Sequence, residues 1–299
     1  MQNIAIMLVF YIIHFLLKCI SNKQKFYKKL ALLAFNSMKK RVAIARVNID
    51  YIYGETLSVT QKEDIIKRCF VNHIYVLLFF VEYKNKPLAK CLAAINFKNT
   101  QALTNAIKQN KKIILTTYHY GLWELLFLLS HLCGERPVTV TTQIYKQPFL
   151  QYLISSVREQ YGLQTVSAKN TFSQVYSALK TGKIVMILTD QATKENNAKT
   201  IDFLGKPTFT NYAPALLAKK QNAVIIPFIS TANSDFTQLG LEFGEPISPT
   251  QTLDKEQDIR KMTKQQSQFL EQHIKQDAGL WLWIHRRFKY EKPTLYENI

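Results

Sequence analysis

The stretch KIILTTYHYGLWE, residues 112–124, is where the pattern of the chain changes. Residues 112–118 form a short β-branched run, which predicts a buried strand, and the apolar residues 121–132 predict a helix. Gly121 falls between the two segments and permits a tight turn. The stretch therefore predicts a strand–turn–helix crossover, the unit from which parallel sheets are built.

The same alternation continues downstream. Short apolar runs predict strands at residues 138–142, 183–189 and 223–230, with an edge strand at 236–243. Helical patterns fall at residues 148–161, 171–180, 210–220 and 253–276, and upstream at 22–47, 58–81 and 86–110. We therefore expect an α/β fold, with a mixed, mostly parallel central sheet flanked by helices. No repeat or long linker divides this body.

Residues 4–20 are almost unbroken apolar sequence, interrupted by His14 and Lys18. As a helix this run spans roughly 26 Å, slightly less than a hydrocarbon core of roughly 30 Å. The lysines follow the run, which argues against a cleaved signal peptide and favours a cytoplasmic body. We predict a membrane anchor at residues 1–21 and a cytosolic domain at 22–299. A helix lying in the membrane interface and a buried soluble helix remain alternatives.

The chain is strongly basic, with 39 Lys and Arg residues against 21 Asp and Glu residues and a net charge of +18. No carboxylate precedes Asp50, so nine positive charges stand unopposed there. Such a surface favours an anionic partner. No nucleic-acid-binding motif is present, so we expect anionic lipid or an acidic protein rather than nucleic acid. The four cysteines show no CxxC spacing, so we expect reduced thiols and no metal site.

His119 is the main candidate for chemistry, because the usual nucleotide, serine-hydrolase and zinc-peptidase motifs are absent. It falls at a strand end, where open α/β sheets bind ligands. Glu124 follows five residues later and can reach back across Gly121 to orient the imidazole. With no serine or cysteine nucleophile nearby, this pair suits deprotonation of an acceptor hydroxyl. The alternative is a structural histidine and a glutamate favoured by a helix N-terminus.

The segment HYGLWEL, residues 119–125, resembles the HX4(D/E) box of lysophospholipid-type acyltransferases. More narrowly, it resembles the variant found in the late acyltransferases of bacterial lipid A biosynthesis. Further similarity lies at residues 146–162, at LKTG…DQ (179–191), at DFLGKP…AVIIP (202–227) and at WLWIHRRFK (281–289). Three departures stand at Leu122, Leu204 and residues 211–213, and they bear on substrate identity rather than on the His119/Glu124 pair.

This resemblance implies a glycerolipid acyltransferase-like fold with an N-terminal anchor. It also implies transfer of a fatty acyl group from acyl carrier protein to a hydroxyl of a 3-hydroxyacyl chain on a lipid A precursor. His119 would be the general base and Glu124 its orienting partner, and no metal or other cofactor is implied. The substrate-binding candidates are Arg158, Asp190, Gln191, His285, Arg286 and Arg287.

These candidates have different expected roles. Arg158 would bind acceptor phosphate or developing negative charge, with a surface salt bridge as the alternative. Asp190 and Gln191 would fix the loop beside His119 or contact the sugar, with strand-end capping as the alternative. The basic residues 285–287 would face headgroup phosphates or the carrier protein, with a solvated tail as the alternative.

The expected partners are acyl carrier protein, a lipid A precursor and anionic lipids of the inner membrane, with the catalytic domain on the cytoplasmic side. Two other readings remain open. One is acyl transfer to another membrane lipid, such as a glycerophospholipid, aminolipid or glycolipid. The other is an inactive membrane-anchored scaffold of the same fold.

Overall fold

The computed structural model of the chain describes residues 2–134, 138–142, 147–167, 171–233, 235–249 and 251–299. The α-helices are α1 Gln2–Lys18, α2 Lys23–Ser37, α3 Lys39–Tyr53, α4 Val59–Tyr83, α5 Leu88–Leu92, α6 Gln101–Lys108, α7 Leu129–Leu132, α8 Pro148–Gln160, α9 Thr171–Lys180, α10 Ala213–Gln221 and α11 Lys255–Gln276. The strands are β1 Ile95–Lys98, β2 Ile113–Thr117, β3 Val138–Thr142, β4 Leu163–Ser167, β5 Ile184–Leu188, β6 Ala198–Phe203, β7 Lys206–Asn211, β8 Val224–Ala232 and β9 Leu239–Phe243.

The central sheet has seven strands in the order β1-β9-β8-β2-β5-β3-β4. The five strands from β8 to β4 run parallel, while β9 is antiparallel to β8 and parallel to β1. Strands β6 and β7 form a separate antiparallel hairpin. The predicted mixed, mostly parallel sheet with flanking helices is therefore confirmed.

Strand β2 is buried along its whole length because both faces of the sheet are covered. Ile113 and Leu115 point into a cluster that includes Phe79 of α4 and Phe127. Ile114, between them, points to the opposite face, into a cluster with residues of α9, α10 and α11. This alternation explains why the strand reads as a continuous apolar run.

Helix α1 packs against α4. Phe10 and Leu17 are buried in the same core as α4, and the Nδ1–H of His14 donates to the carbonyl of Val81 over 3.1 Å. Within the described ranges, no helix is both long and apolar enough to cross a membrane. The predicted transmembrane anchor is therefore not supported, and the domain division after residue 21 stays a prediction.

Several elements differ from the sequence-based expectation. The helix predicted at residues 22–47 is broken at Met38, which caps α2 and precedes α3. Residues 86–110 contain β1 between two short helices. Strand β9, expected at an edge, lies between β1 and β8 because β1 adds outside it. Strands β4, β6 and β7 were not predicted, since their polar residues hide the strand pattern.

Candidate active site

The site lies where β2 and β5 end side by side. Thr117 pairs with Leu188, and the N–H of Thr189 donates to the carbonyl of Thr117 over 3.1 Å. His119 and Asp190 each follow two residues after their strand ends. Two parallel strands in register therefore bring together side chains that are far apart in the sequence, at the ligand-binding edge of the sheet.

Asp190 accepts three hydrogen bonds from the groups around it. His119 Nδ1 lies 2.8 Å from Oδ1, while the backbone N–H of His119 and the indole Nε1–H of Trp281 each donate to Oδ2 over 2.9 Å. The Asp190 side chain is only 3% exposed and that of His119 is 16% exposed. Because an ionised carboxylate only accepts, Nδ1 carries the proton and Nε2 presents its lone pair away from Asp190.

The charge state of Asp190 agrees with this arrangement. Burial alone would raise the pKa of its carboxyl group. The imidazole of His119 and the hydrogen bonds from His119 and Trp281 outweigh burial, so the pKa lies below its ordinary value. The carboxylate is therefore charged at neutral pH and can stabilise an imidazolium.

Glu124 does not occupy the position expected for it. The backbone after His119 is bent and held against the C-terminal segment. Tyr120 forms an isolated β-bridge with Trp281, and the N–H of Gly121 donates to the carbonyl of Leu280 over 3.0 Å. A 3-10 helix, Trp123–Leu128, begins only then, in place of the predicted α-helix. No hydrogen bond joins Glu124 to His119 among the described residues, so Asp190 takes the orienting position that was assigned to Glu124.

Arg158 holds Glu124 instead. Its Nη2 lies 2.9 and 3.0 Å from the two carboxylate oxygens, and its Nε lies 3.2 Å from Oε2. Both side chains are 5% exposed. The expectation that Arg158 binds acceptor phosphate is therefore not met, because its buried guanidinium is already paired with the Glu124 carboxylate. This ion pair instead holds α8 in place.

The segment WLWIHRRFK, residues 281–289, is called the C-terminal signature here, and it supports the loop that carries Asp190. Besides the bond from Trp281, the Nε2 of His285 accepts the backbone N–H of Ala192 over 3.2 Å. Asn48 of α3 donates to the carbonyls of Trp283 and His285, over 2.7 Å each. The signature thus connects α3 to both ends of the Asp190–Ala192 segment.

The three basic residues of the signature are not arranged as ligands for phosphate. Burial, reinforced by His119, lowers the pKa of His285 to about 4, so this histidine is neutral at pH 7. Arg287 is buried and donates to the carbonyl of Phe209 over 2.8 Å, and Arg286 donates to the carbonyl of Ile299 over 2.6 Å. These bonds fix the C-terminal segment, and they place Arg287 inside the protein rather than at the surface, where headgroups or the carrier protein were expected to bind.

Gln191 lies directly against His119. Its Nε2 is 3.1 Å from the Nε2 of His119, and its side chain is exposed. Trp123 also contacts the imidazole of His119 edge to face, with ring centroids 5.3 Å apart, and it stacks on His73 of α4 at 6.0 Å. Burial lowers the pKa of His73 to about 4, so His73 is neutral at pH 7.

Three residues important to the site carried no assigned role from sequence. Trp281 orients Asp190, Asn48 holds the signature, and Arg41 donates to the carbonyl of Ile284 over 3.3 Å. Asn48 was detectable in part, as a polar residue within an apolar helical face. The other two needed the folded arrangement.

A cavity of about 450 Å³ lies on the other side of the Gln191 loop. Ala192, Thr193 and Lys194 form one wall, and residues of α9, α10 and the end of β5 form most of the rest, with Asn197, Asn211 and Tyr212. The apolar part of this lining includes Val175, Ile187, Leu216 and Leu217. A second cleft of about 200 Å³ includes Leu122 in its lining, together with Tyr75, Phe79 and Tyr83 of α4.

The sequence profile of the bacterial lipid A biosynthesis acyltransferases matches residues 3–290. Among individual proteins, a lipid A biosynthesis acyltransferase of Haemophilus influenzae is 25% identical over 199 residues, covering 64% of this chain and 62% of that protein. The lipid A biosynthesis palmitoleoyltransferase of Escherichia coli is 21% identical over 253 residues, covering 84% of this chain and 80% of that protein. The crystal structure of the 1-acyl-sn-glycerophosphate acyltransferase PlsC from Thermotoga maritima aligns with a TM-score of 0.38 and 13% identity, over 80% of this chain and 99% of that one. By the profile match along nearly its whole length, the chain belongs to the bacterial lipid A biosynthesis acyltransferase family.

Proposed function

We propose that the protein transfers a fatty acyl group from acyl carrier protein to a hydroxyl of a 3-hydroxyacyl chain on a lipid A precursor. The observation that carries this proposal is the His119–Asp190 pair, with the Nε2 lone pair at the open edge of the sheet. Among the described residues, no hydroxyl or thiol side chain hydrogen-bonds His119. Direct activation of an acceptor hydroxyl therefore fits better than a covalent acyl-enzyme.

In this mechanism His119 Nε2 removes the proton of the acceptor hydroxyl as its oxygen attacks the thioester carbonyl. Asp190 stabilises the imidazolium that forms and keeps the proton of Nδ1 in place. The tetrahedral intermediate collapses with cleavage of the C–S bond. The leaving thiolate takes the proton from Nε2, and the neutral base is restored.

The cavity of about 450 Å³ is the candidate site for the donor chain. It shares the Gln191–Lys194 segment with the base, part of its lining is apolar, and the exposed Lys194 belongs to that lining. An acyl chain needs apolar walls, and an acidic carrier protein is attracted by cations at the entrance. The name of the Escherichia coli relative, a palmitoleoyltransferase, is compatible with a long-chain donor.

Arg41 is a better candidate for binding the acceptor phosphate than the arginines that the sequence suggested. Arg158 and Arg287 are buried and Arg286 is partly buried, whereas Arg41 is exposed and donates to the carbonyl of Ile284, next to His285. The neighbouring Lys39 and Lys40 are also exposed. We expect Arg41→Ala to raise the KM for a phosphorylated acceptor more than it lowers kcat, and no change in KM would contradict this assignment.

The protein would act at the cytoplasmic face of the inner membrane. Tyr11, Ile12, Phe15 and Leu16 are each more than half exposed on α1, and exposed lysines of α2 lie beside them in sequence. Such a surface suits a helix lying in an anionic interface. Activity on dispersed acceptor should therefore fall as ionic strength rises to the physiological range, and a flat profile would argue against electrostatic recruitment.

Mass spectrometry of lipid A tests the function. Cells lacking the protein are complemented with wild type, with His119→Ala or with the matched surface control His131→Ala. We expect lipid A to lose one secondary acyl chain, and wild type and the control, but not His119→Ala, to restore it. Unchanged lipid A with another lipid under-acylated would favour a different membrane acceptor. Full restoration by His119→Ala would contradict the base and favour a scaffold.

A further inference from the structure

The amide of Gln191 occupies the place on His119 that a substrate hydroxyl would need. Nδ1 faces the Asp190 carboxylate and carries the proton, so Nε2 holds a lone pair. The Gln191 Nε2, 3.1 Å away, donates to that lone pair. A general base must lie within about 2.6–3.2 Å of the oxygen that it deprotonates. The amide and an acceptor hydroxyl therefore compete for one position.

The backbone around Gln191 is fixed while its side chain is not. Asp190 is held by His119 and Trp281 on one side, and the N–H of Ala192 is held by His285 on the other. The Gln191 side chain is exposed, and its amide makes a single bond among the described contacts. Rotation of this side chain thus frees Nε2 without moving the loop or the catalytic pair.

We propose that Gln191 is a displaceable cap on His119, which an acceptor hydroxyl replaces and which limits loss of the donor to water. This proposal rests on the proposed acyl transfer. Without a cap, water beside Nε2 would give its proton to the imidazole and attack the thioester carbonyl. The C–S bond would break, the thiolate would take the proton, and a free fatty acid would form. An amide N–H has no nucleophilic oxygen, so it fills the position without reacting.

The size of the effect follows from one neutral hydrogen bond. Such a bond shifts an equilibrium by roughly 2- to 10-fold. An acceptor hydroxyl must overcome this competition, and so must water. Loss of the amide therefore raises hydrolysis of the donor by roughly that factor and lowers the apparent KM for the acceptor.

The test compares Gln191→Ala with Gln109→Ala, a control at an exposed glutamine that ends α6. The first measurement is the rate at which diethyl pyrocarbonate modifies His119, with the exposed His131 as an internal reference. The second is thiol release from acyl carrier protein thioester, with and without acceptor. We expect Gln191→Ala alone to accelerate modification of His119 relative to His131 and to raise the ratio of hydrolysis to transfer.

Each outcome decides a separate point. Unchanged modification of His119 in Gln191→Ala would overturn the cap, whatever the enzyme acylates. Hydrolysis and transfer that fall in parallel would also overturn it, because they would indicate a structural role. Faster modification, with no thioester reaction in any variant including wild type, would support the cap and contradict the proposed function instead.

Discussion

Replacing Asp190 with asparagine separates the two carboxylates that could orient His119. Asp190 receives three donors: the Nδ1–H and backbone N–H of His119, and the indole N–H of Trp281. An asparagine offers one acceptor oxygen in place of two. If this oxygen faces Nδ1, two buried donors meet an NH₂ group. If it faces the other two donors, the NH₂ meets Nδ1 and favours the tautomer with the proton on Nε2.

Either arrangement should lower activity. In the second one Nε2 carries the proton, so His119 can no longer accept a proton from the acceptor hydroxyl. The equivalent change in a Ser-His-Asp triad lowers kcat by about 10⁴ through the wrong tautomer, which corresponds to about 5.4 kcal/mol in the activation free energy. We expect a loss of about 10³- to 10⁴-fold in kcat for Asp190→Asn, measured as single-turnover acyl transfer. Urea unfolding checks that the variant is folded, since two orphaned donors cost roughly 1–3 kcal/mol each.

Glu124→Gln is the comparison. A glutamine keeps one acceptor for Arg158 and has no described contact with His119. We expect it to lower stability more than the chemical step. The reasoning is refuted if Asp190→Asn retains kcat within tenfold of wild type while Glu124→Gln loses a thousandfold, because Glu124 would then orient the base during turnover.

Three further predictions concern stability. Arg158→Met should lower the free energy of unfolding by roughly 3–5 kcal/mol in urea titrations, because Glu124 is left buried without its cation. The double variant that also carries Glu124→Gln should regain part of this loss, and no recovery would contradict a buried ion pair. Gly121→Ala should lower the thermal midpoint well beyond Gly134→Ala, because both have positive φ but only a Cβ at Gly121 would lie 2.4 Å from a carbonyl oxygen of β8; equal shifts would contradict the clash. Folding lowers the pKa of His285 from 6.5 to about 4. As the pH falls, this histidine is therefore protonated in the unfolded chain before it is protonated in the folded chain. Stability should therefore be complete above about pH 6.5 and fall by at most about 3 kcal/mol towards pH 4; His285→Gln should flatten that slope, and an unchanged slope would assign it to other groups.

The central strands could be predicted from sequence because of where they lie. Strands β2, β5 and β8 are buried on both faces, so each reads as a continuous apolar run. Strand β4 (LQTVS) lies at the sheet edge and has polar residues at three of its five positions without a clear alternation, which conceals it. The hairpin of β6 and β7 is outside the sheet and equally polar. The hydrophobic pattern of a strand reflects which of its faces are buried. Only burial of both faces gives a continuous apolar run that predicts a strand without ambiguity.

The site was predicted less completely. His119 stood out because it follows a predicted strand, but its partner depends on the register between β2 and β5, which no local pattern contains. Asp190 is 71 residues away and reaches the imidazole through that register. Glu124 was chosen because it is close in sequence, and the late start of the 3-10 helix directs it to Arg158. The basic residues of the C-terminal signature resembled ligands until their burial was known.

The bond from Trp281 to Asp190 also affects when the enzyme becomes competent during its synthesis. His119 and Asp190 leave the ribosome long before Trp281, which must still emerge and pair with the segment at Tyr120. A nascent chain without this segment has neither the indole that fixes the carboxylate nor the backbone bond to His119 from Leu282. The orientation of the His119–Asp190 pair is therefore completed only at the end of translation.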